Sequence, residues 1–70
     1  MKVINRTVFK YPLTSVTVYA FDTGHQLDVH DNGRFWGFTP SHKICKTSVE
    51  LRMVKVASQF NTIPLVTIFG

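Results

Sequence analysis

The stretch that decides the fold is Gln26–Phe38, QLDVHDNGRFWGF. Leu27 and Val29 alternate with Asp28 and His30, and Arg34–Thr39 (RFWGFT) resumes an extended pattern that ends at Pro40. Alternation with a period of two marks a strand with one buried face. Asn32-Gly33, between the two runs, tolerates the positive φ that a two-residue type I′ turn needs at both central positions. Such a loop sets the register. Asp31 faces Arg34, His30 faces Phe35, Val29 faces Trp36, Asp28 faces Gly37 and Leu27 faces Phe38. Leu27, Val29, Trp36 and Phe38 then share one face, with an Asp31–Arg34 charge pair at its rim.

Upstream, Ser15–Phe21 (SVTVYAF) alternates strictly, and Asp22-Thr23-Gly24-His25 closes a second hairpin. With Phe21 opposite Gln26, the apolar face gains Val16, Val18 and Ala20. A slip of one residue would place Tyr19 and Phe21 there instead. The first register is preferred because it makes the small aliphatics and the indole contiguous. The other face then carries Thr17, Tyr19, Phe21, Asp28, His30 and Phe35, more aromatic surface than a solvated face needs. Lys2–Tyr11 is an opening strand closed by Pro12, and Thr62–Phe69 is a last strand that Pro64 pushes to an edge.

Residues 47–60 read two ways. Thr47-x-x-Glu50 fits a helix capping box, followed by a helical stripe of Val49, Met53, Val56, Ala57 and Phe60, with Asn61 at its end. As a strand, Val49, Leu51 and Met53 alternate with Glu50 and Arg52, but parity flips at Val54 and a bulge is needed. The β-branched content tips the balance slightly toward the strand. The expected fold is therefore mainly β, a small antiparallel meander, sheet or barrel of five to six strands with the hairpin at Asn32-Gly33. The alternative is α+β, with one helix at about 48–60 packed on the sheet.

The chain has 70 residues and forms one domain, residues 1–70. Its stability margin is narrow at this size. Cys45 is the only cysteine, so no disulfide can form within one copy. No apolar run reaches the roughly 20 residues that span a bilayer, and no secretory leader follows Lys2. A cytoplasmic location is expected. The net charge of +4 favours an acidic partner or nucleic acid, or serves solubility alone.

The order of features resembles a group of small, uncharacterised β-rich proteins encoded by tailed bacteriophages and prophages. The resemblance rests on the basic strand that runs into Lys10-Tyr11-Pro12-Leu13 ("KYPL") and on Trp36 after a mid-chain turn. Several extra residues precede that segment here, and the C-terminal half matches in pattern only. The resemblance implies a β-rich fold, a viral origin and action in the host cytoplasm. It brings no catalytic residues.

Gly33-Arg34-Phe35-Trp36-Gly37-Phe38 interleaves a cation, glycines and aromatics, like the base-stacking strands of RNA-binding domains. The expected register assigns Trp36 and Phe38 to the core and leaves Phe35 beside His30. His42-x-x-Cys45, with His25 and His30, is one doublet where zinc sites use two, so no metal or cofactor is expected. Lys43 and Lys46 flank Cys45 and would lower its pKa, yet no cysteine-enzyme signature surrounds it. A chain this short also leaves little room for a substrate cleft of several hundred Å3. Asp22, Asp28, Asp31 and Glu50 form no paired-carboxylate pattern. The expectation is a non-enzymatic protein-binding module, with a host bacterial protein as target if the phage resemblance holds. Tyr19, Phe21, His30 and Phe35 are its expected contacts. The alternative is a nucleic-acid-binding β domain using Lys43, Lys46, Arg52 and Lys55. Pairing of the last strand between two copies is a third expectation, a homodimer.

Overall fold

The structure is a computed structural model that describes residues 1–59 and 65–69. Five strands and one helix follow in the order β1 (Val3–Lys10), β2 (Ser15–Phe21), β3 (Gln26–His30), β4 (Phe35–Phe38), α1 (Thr47–Gln59) and β5 (Leu65–Phe69). The sheet is open and ordered β4-β3-β2-β1-β5. The first four strands form an antiparallel meander, and β5 pairs parallel to β1 at the far edge. A mainly β domain with a packed helix is thus the architecture, and the closed barrel does not form.

Both meander hairpins depart from the expected register by one residue, for a shared reason. Gly33 has a φ of +87°, while Asn32 keeps an ordinary negative φ, so a type I′ turn does not form. The Gly33 N–H donates to the His30 carbonyl and the His30 N–H to the Arg34 carbonyl. This is a three-residue loop, a type I turn followed by a left-handed glycine. Asp22-Thr23-Gly24 repeats it. Gly24 has a φ of +89°, its N–H donates to Phe21 and the Phe21 N–H donates to His25. Each loop aspartate also bonds backbone of the strand alongside. Asp22 accepts the Lys2 N–H at 2.9 Å, and Asp31 accepts the Ser15 N–H and the Thr14 hydroxyl, both at 3.1 Å. Asp31 is thereby engaged away from the Arg34 side chain expected to pair with it.

The observed pairs are Leu27 with Gly37, Val29 with Phe35, Asp28 with Trp36 and Gln26 with Phe38, and on the other side Tyr19 with Leu27 and Val18 with Asp28. A shift of one residue inverts every side chain relative to its expected partner. Tyr19, Phe21, Leu27, Val29 and Phe35 now share one face with Val3, and Trp36 and Phe38 lie on the other. A bulge at Ile4 lets Val3 pair with Phe21 before the ladder resumes at Asn5.

The segment 47–59 is a helix, and the strand reading preferred from β-branched content does not hold. Met53 and Ala57 are buried, and Val49 and Val56 are half-buried, which is the stripe expected of a helix. Phe60 and Asn61 of that expected stripe, and 62–64 of the expected last strand, lie outside the described residues. The Lys46 carbonyl receives the Val49 and Glu50 N–H groups, so the helix begins one residue earlier than the capping-box alignment places it. Glu50 therefore does not reach back to Thr47. Its Oε2 accepts the Gly37 N–H at 2.6 Å, while the Gly37 carbonyl receives the Cys45 N–H at 2.9 Å. Both outward-facing backbone groups of Gly37, on edge strand β4, are satisfied, and Phe38 forms a further bridge with Ile44. α1 lies close against Gly37. A Cβ there would meet Glu50 Cγ at 2.9 Å and Met53 Sδ at 3.1 Å. The core under the helix comprises Val3, Phe21, Leu27, Cys45, Met53 and Ala57.

The loop after β4 uses the same turn a third time. The His42 N–H donates to Thr39 and the Thr39 N–H to Lys43, with His42 in the glycine position at a φ of 65°. A side chain in the left-handed region costs about 1–2 kcal/mol. His42→Gly should therefore raise stability by about 0.5–1 kcal/mol in urea unfolding, after allowing for the freer unfolded glycine. Loss of stability would mean that the imidazole contributes a contact worth more than the strain. Gly37→Ala should lower stability by about 1–3 kcal/mol, because the methyl group displaces the Glu50 carboxylate from its hydrogen bond. An unchanged midpoint would contradict the close helix approach.

Candidate functional site

The face of the sheet away from α1 is not covered by any described element. Its side chains form three rows across the strands. The first runs from Arg34 through His30, Val16 and Phe9 to Ile68, the second from Trp36 through Asp28, Val18 and Thr7 to Val66. The third holds Phe38, Gln26, Ala20 and Asn5. Trp36 is 37% exposed, Val66 53% and Ile68 44%, whereas Phe9, Val16, Val18, Ala20 and Phe38 are half-buried among one another. The indole of Trp36 meets the His30 ring edge to face, with centroids 4.9 Å apart and planes at 78°. Gln26 Nε2 donates to Asp28 Oδ1 at 2.8 Å. Two polar groups are thus fixed beside the aromatic pair.

Of the four expected contact residues, only His30 lies on this face. Phe21 is 1% exposed in the core, and Tyr19 and Phe35 pack against that core under α1. The reason is the register, which turns the face that Tyr19, Phe21 and Phe35 occupy toward the helix. The residues overlooked are Trp36, Phe38 and Phe9. The pair of Asp-x-Gly loops, Asp22-Thr23-Gly24 and Asp31-Asn32-Gly33, was the signal that could have placed them.

Lys43, Lys46, Arg52 and Lys55 are all exposed. They lie in the loop after β4 and on the outer side of α1, so they do not join the uncovered face. A solvent-open depression of about 460 Å3 lies by that loop, lined by His25, Thr39, Lys43, Ile44, Cys45, Lys46 and Val49. A chain of this size therefore does form a hollow of several hundred Å3. Its chemistry is quiet. Burial of Cys45 pushes its thiol pKa up, and the Glu50 carboxylate pushes it further the same way. The flanking lysines do not lower it as expected. His25 Nδ1 is hydrogen-bonded to Thr23 Oγ1 at 2.7 Å. Among the described residues, no group of three or more His, Cys, Asp or Glu side chains is placed to hold a metal ion, and no helix is long and apolar enough to cross a membrane.

No protein-family model matches the chain, and neither a curated protein nor a solved structure matches it significantly.

The raised pKa makes Cys45 a poor thiolate near neutral pH. Alkylation by iodoacetamide at pH 8 should be slow in the folded chain and rise to the rate of a free cysteine in urea. Equal rates in both states would contradict the burial and the direction of the shift.

Proposed function

We propose that this chain is a non-enzymatic protein-binding module whose binding face is the uncovered side of its sheet. The supporting observation is the apolar surface formed by Phe9, Val16, Val18, Trp36, Phe38, Val66 and Ile68, on which no described element packs. A contiguous apolar patch with a polar fringe is the usual character of a protein interface. Trp36 is its natural anchor, because a large amphipathic ring gains most from losing water, and Arg34, His30 and Asp28 can set orientation around it. The resemblance to small tailed-phage proteins extends the proposal to a host-directed factor that binds and inhibits or redirects a bacterial protein in the cytoplasm. The protonated Cys45 thiol gives the depression by α1 no activated nucleophile, which supports the non-enzymatic half of the reading.

Affinity capture from bacterial lysate, followed by titration of the captured protein, tests this. Trp36→Ala should weaken the complex roughly 30-fold or more. Leu51→Ala, which removes an exposed apolar side chain from the outer side of α1, should leave it unchanged. A captured protein indifferent to Trp36, or none at all, would overturn the proposal.

A nucleic-acid reading is favoured by one observation, the placement of Trp36 and Phe38 on an uncovered face with Arg34 at its end. Rings in that setting stack on single-stranded bases. Lys43, Lys46, Arg52 and Lys55 lie in the loop after β4 and on α1 rather than on this face, which weakens this reading. Mobility shifts with single-stranded DNA or RNA at low salt should then show binding that Trp36→Ala abolishes and added salt reverses. No retardation at low salt removes it.

A further inference from the structure

We infer that β5 is a self-pairing edge and that two copies join through it into one ten-stranded sheet that grows no further. The two ends of the sheet differ. At β4, the Gly37 backbone is occupied by the Glu50 carboxylate and the Cys45 N–H, and Phe38 pairs with Ile44. At β5, β1 is the only strand partner among the described residues. Leu65–Phe69 contains no charge and no proline, and Leu65, Val66, Ile68 and Phe69 are 46%, 53%, 44% and 79% exposed. Among the described residues, the contacts that cover a sheet edge are present at β4 and absent at β5.

The occupant that fits is a second copy. Antiparallel pairing about a twofold axis at Thr67 sets Leu65 against Phe69 and Val66 against Ile68, so every cross-strand pair is apolar or threonine with threonine. Charge does not oppose it. Leu65–Phe69 is itself uncharged, and the cations paired with it, Arg6 and Lys10, stand one strand back on β1, opposite Leu65 and Phe69. The exposed β5 side chains amount to roughly two whole apolar side chains per copy, and such an interface is at the small end of specific association. The dimer is therefore concentration-dependent, with a Kd of about 10 µM to 1 mM. The axis is perpendicular to the sheet, so the uncovered faces of both copies lie side by side. The pairing does not depend on what that face binds.

Sedimentation velocity on the full chain, up to about 1 mM, tests the inference. Thr67→Lys and Thr67→Glu each place like charges directly across the axis and should weaken association about fivefold or more. An equimolar mixture of the two should restore it. Far-UV circular dichroism checks that both variants are folded. Amide exchange needs no variant, because the exchange of Leu65–Phe69 in the wild-type chain should slow as concentration rises. A wild-type monomer at about 1 mM, a dimer indifferent to both variants, growth beyond two copies, or exchange independent of concentration would each overturn the inference.

Discussion

Gly33 turns left-handed while Asn32 does not, and this lengthens the β3–β4 loop from two residues to three. A strand has no intermediate between its two faces, so one added loop residue inverts the whole of β4. Gly37 rather than Trp36 then lies beneath α1. The helix can approach that position only because no Cβ stands in the way, and the close approach allows the Glu50 carboxylate to reach the Gly37 N–H. Met53 seats over the same glycine and closes the core. Turn geometry, core packing and protection of the β4 edge are successive consequences of one backbone conformation.

The same conformation distributes the aromatic residues. Phe21 and Phe35 go under the helix and contribute to a core that a 70-residue chain can scarcely do without. Trp36 and Phe38 go to the uncovered side, where a monomer gains little from them. The segment RFWGF thus serves two purposes, one on each side of the sheet. The basic residues of α1 and its preceding loop lie in the other layer. Lys43, Lys46, Arg52 and Lys55 are therefore separated from the aromatic surface, and this supports the proposal of a protein rather than a nucleic acid at this face.

Much of the fold was legible in the sequence. Alternation located β2, β3 and β4, and Pro12 and Pro40 marked where strands give way. The helical stripe of Val49, Met53, Val56 and Ala57 was visible, but intrinsic β propensity competed with it, and packing on the sheet overrode propensity. Register was not legible from Asn32-Gly33 alone, because that dipeptide suits the third position of a three-residue loop as well as a two-residue turn. The repeat of Asp-x-Gly in both loops, each Asp bonded to the adjacent strand, distinguishes the two. The register also decides which residues the uncovered face presents, so Tyr19, Phe21 and Phe35 turn to the core and Trp36, Phe38 and Phe9 to the open side. Of the expected contacts only His30 lies on the uncovered face, because β3 is inverted relative to its neighbours and His30 points away from the side that Leu27 and Val29 occupy.

Loop length sets which face of the hairpin is covered. Nuclear Overhauser contacts between backbone protons across β3 and β4 test it most directly. The structure predicts contacts joining Asp28 to Trp36 and Gln26 to Phe38 as directly opposed pairs. Opposed pairs of Val29 with Trp36 and Leu27 with Phe38 would instead return Trp36 to the core and contradict the account.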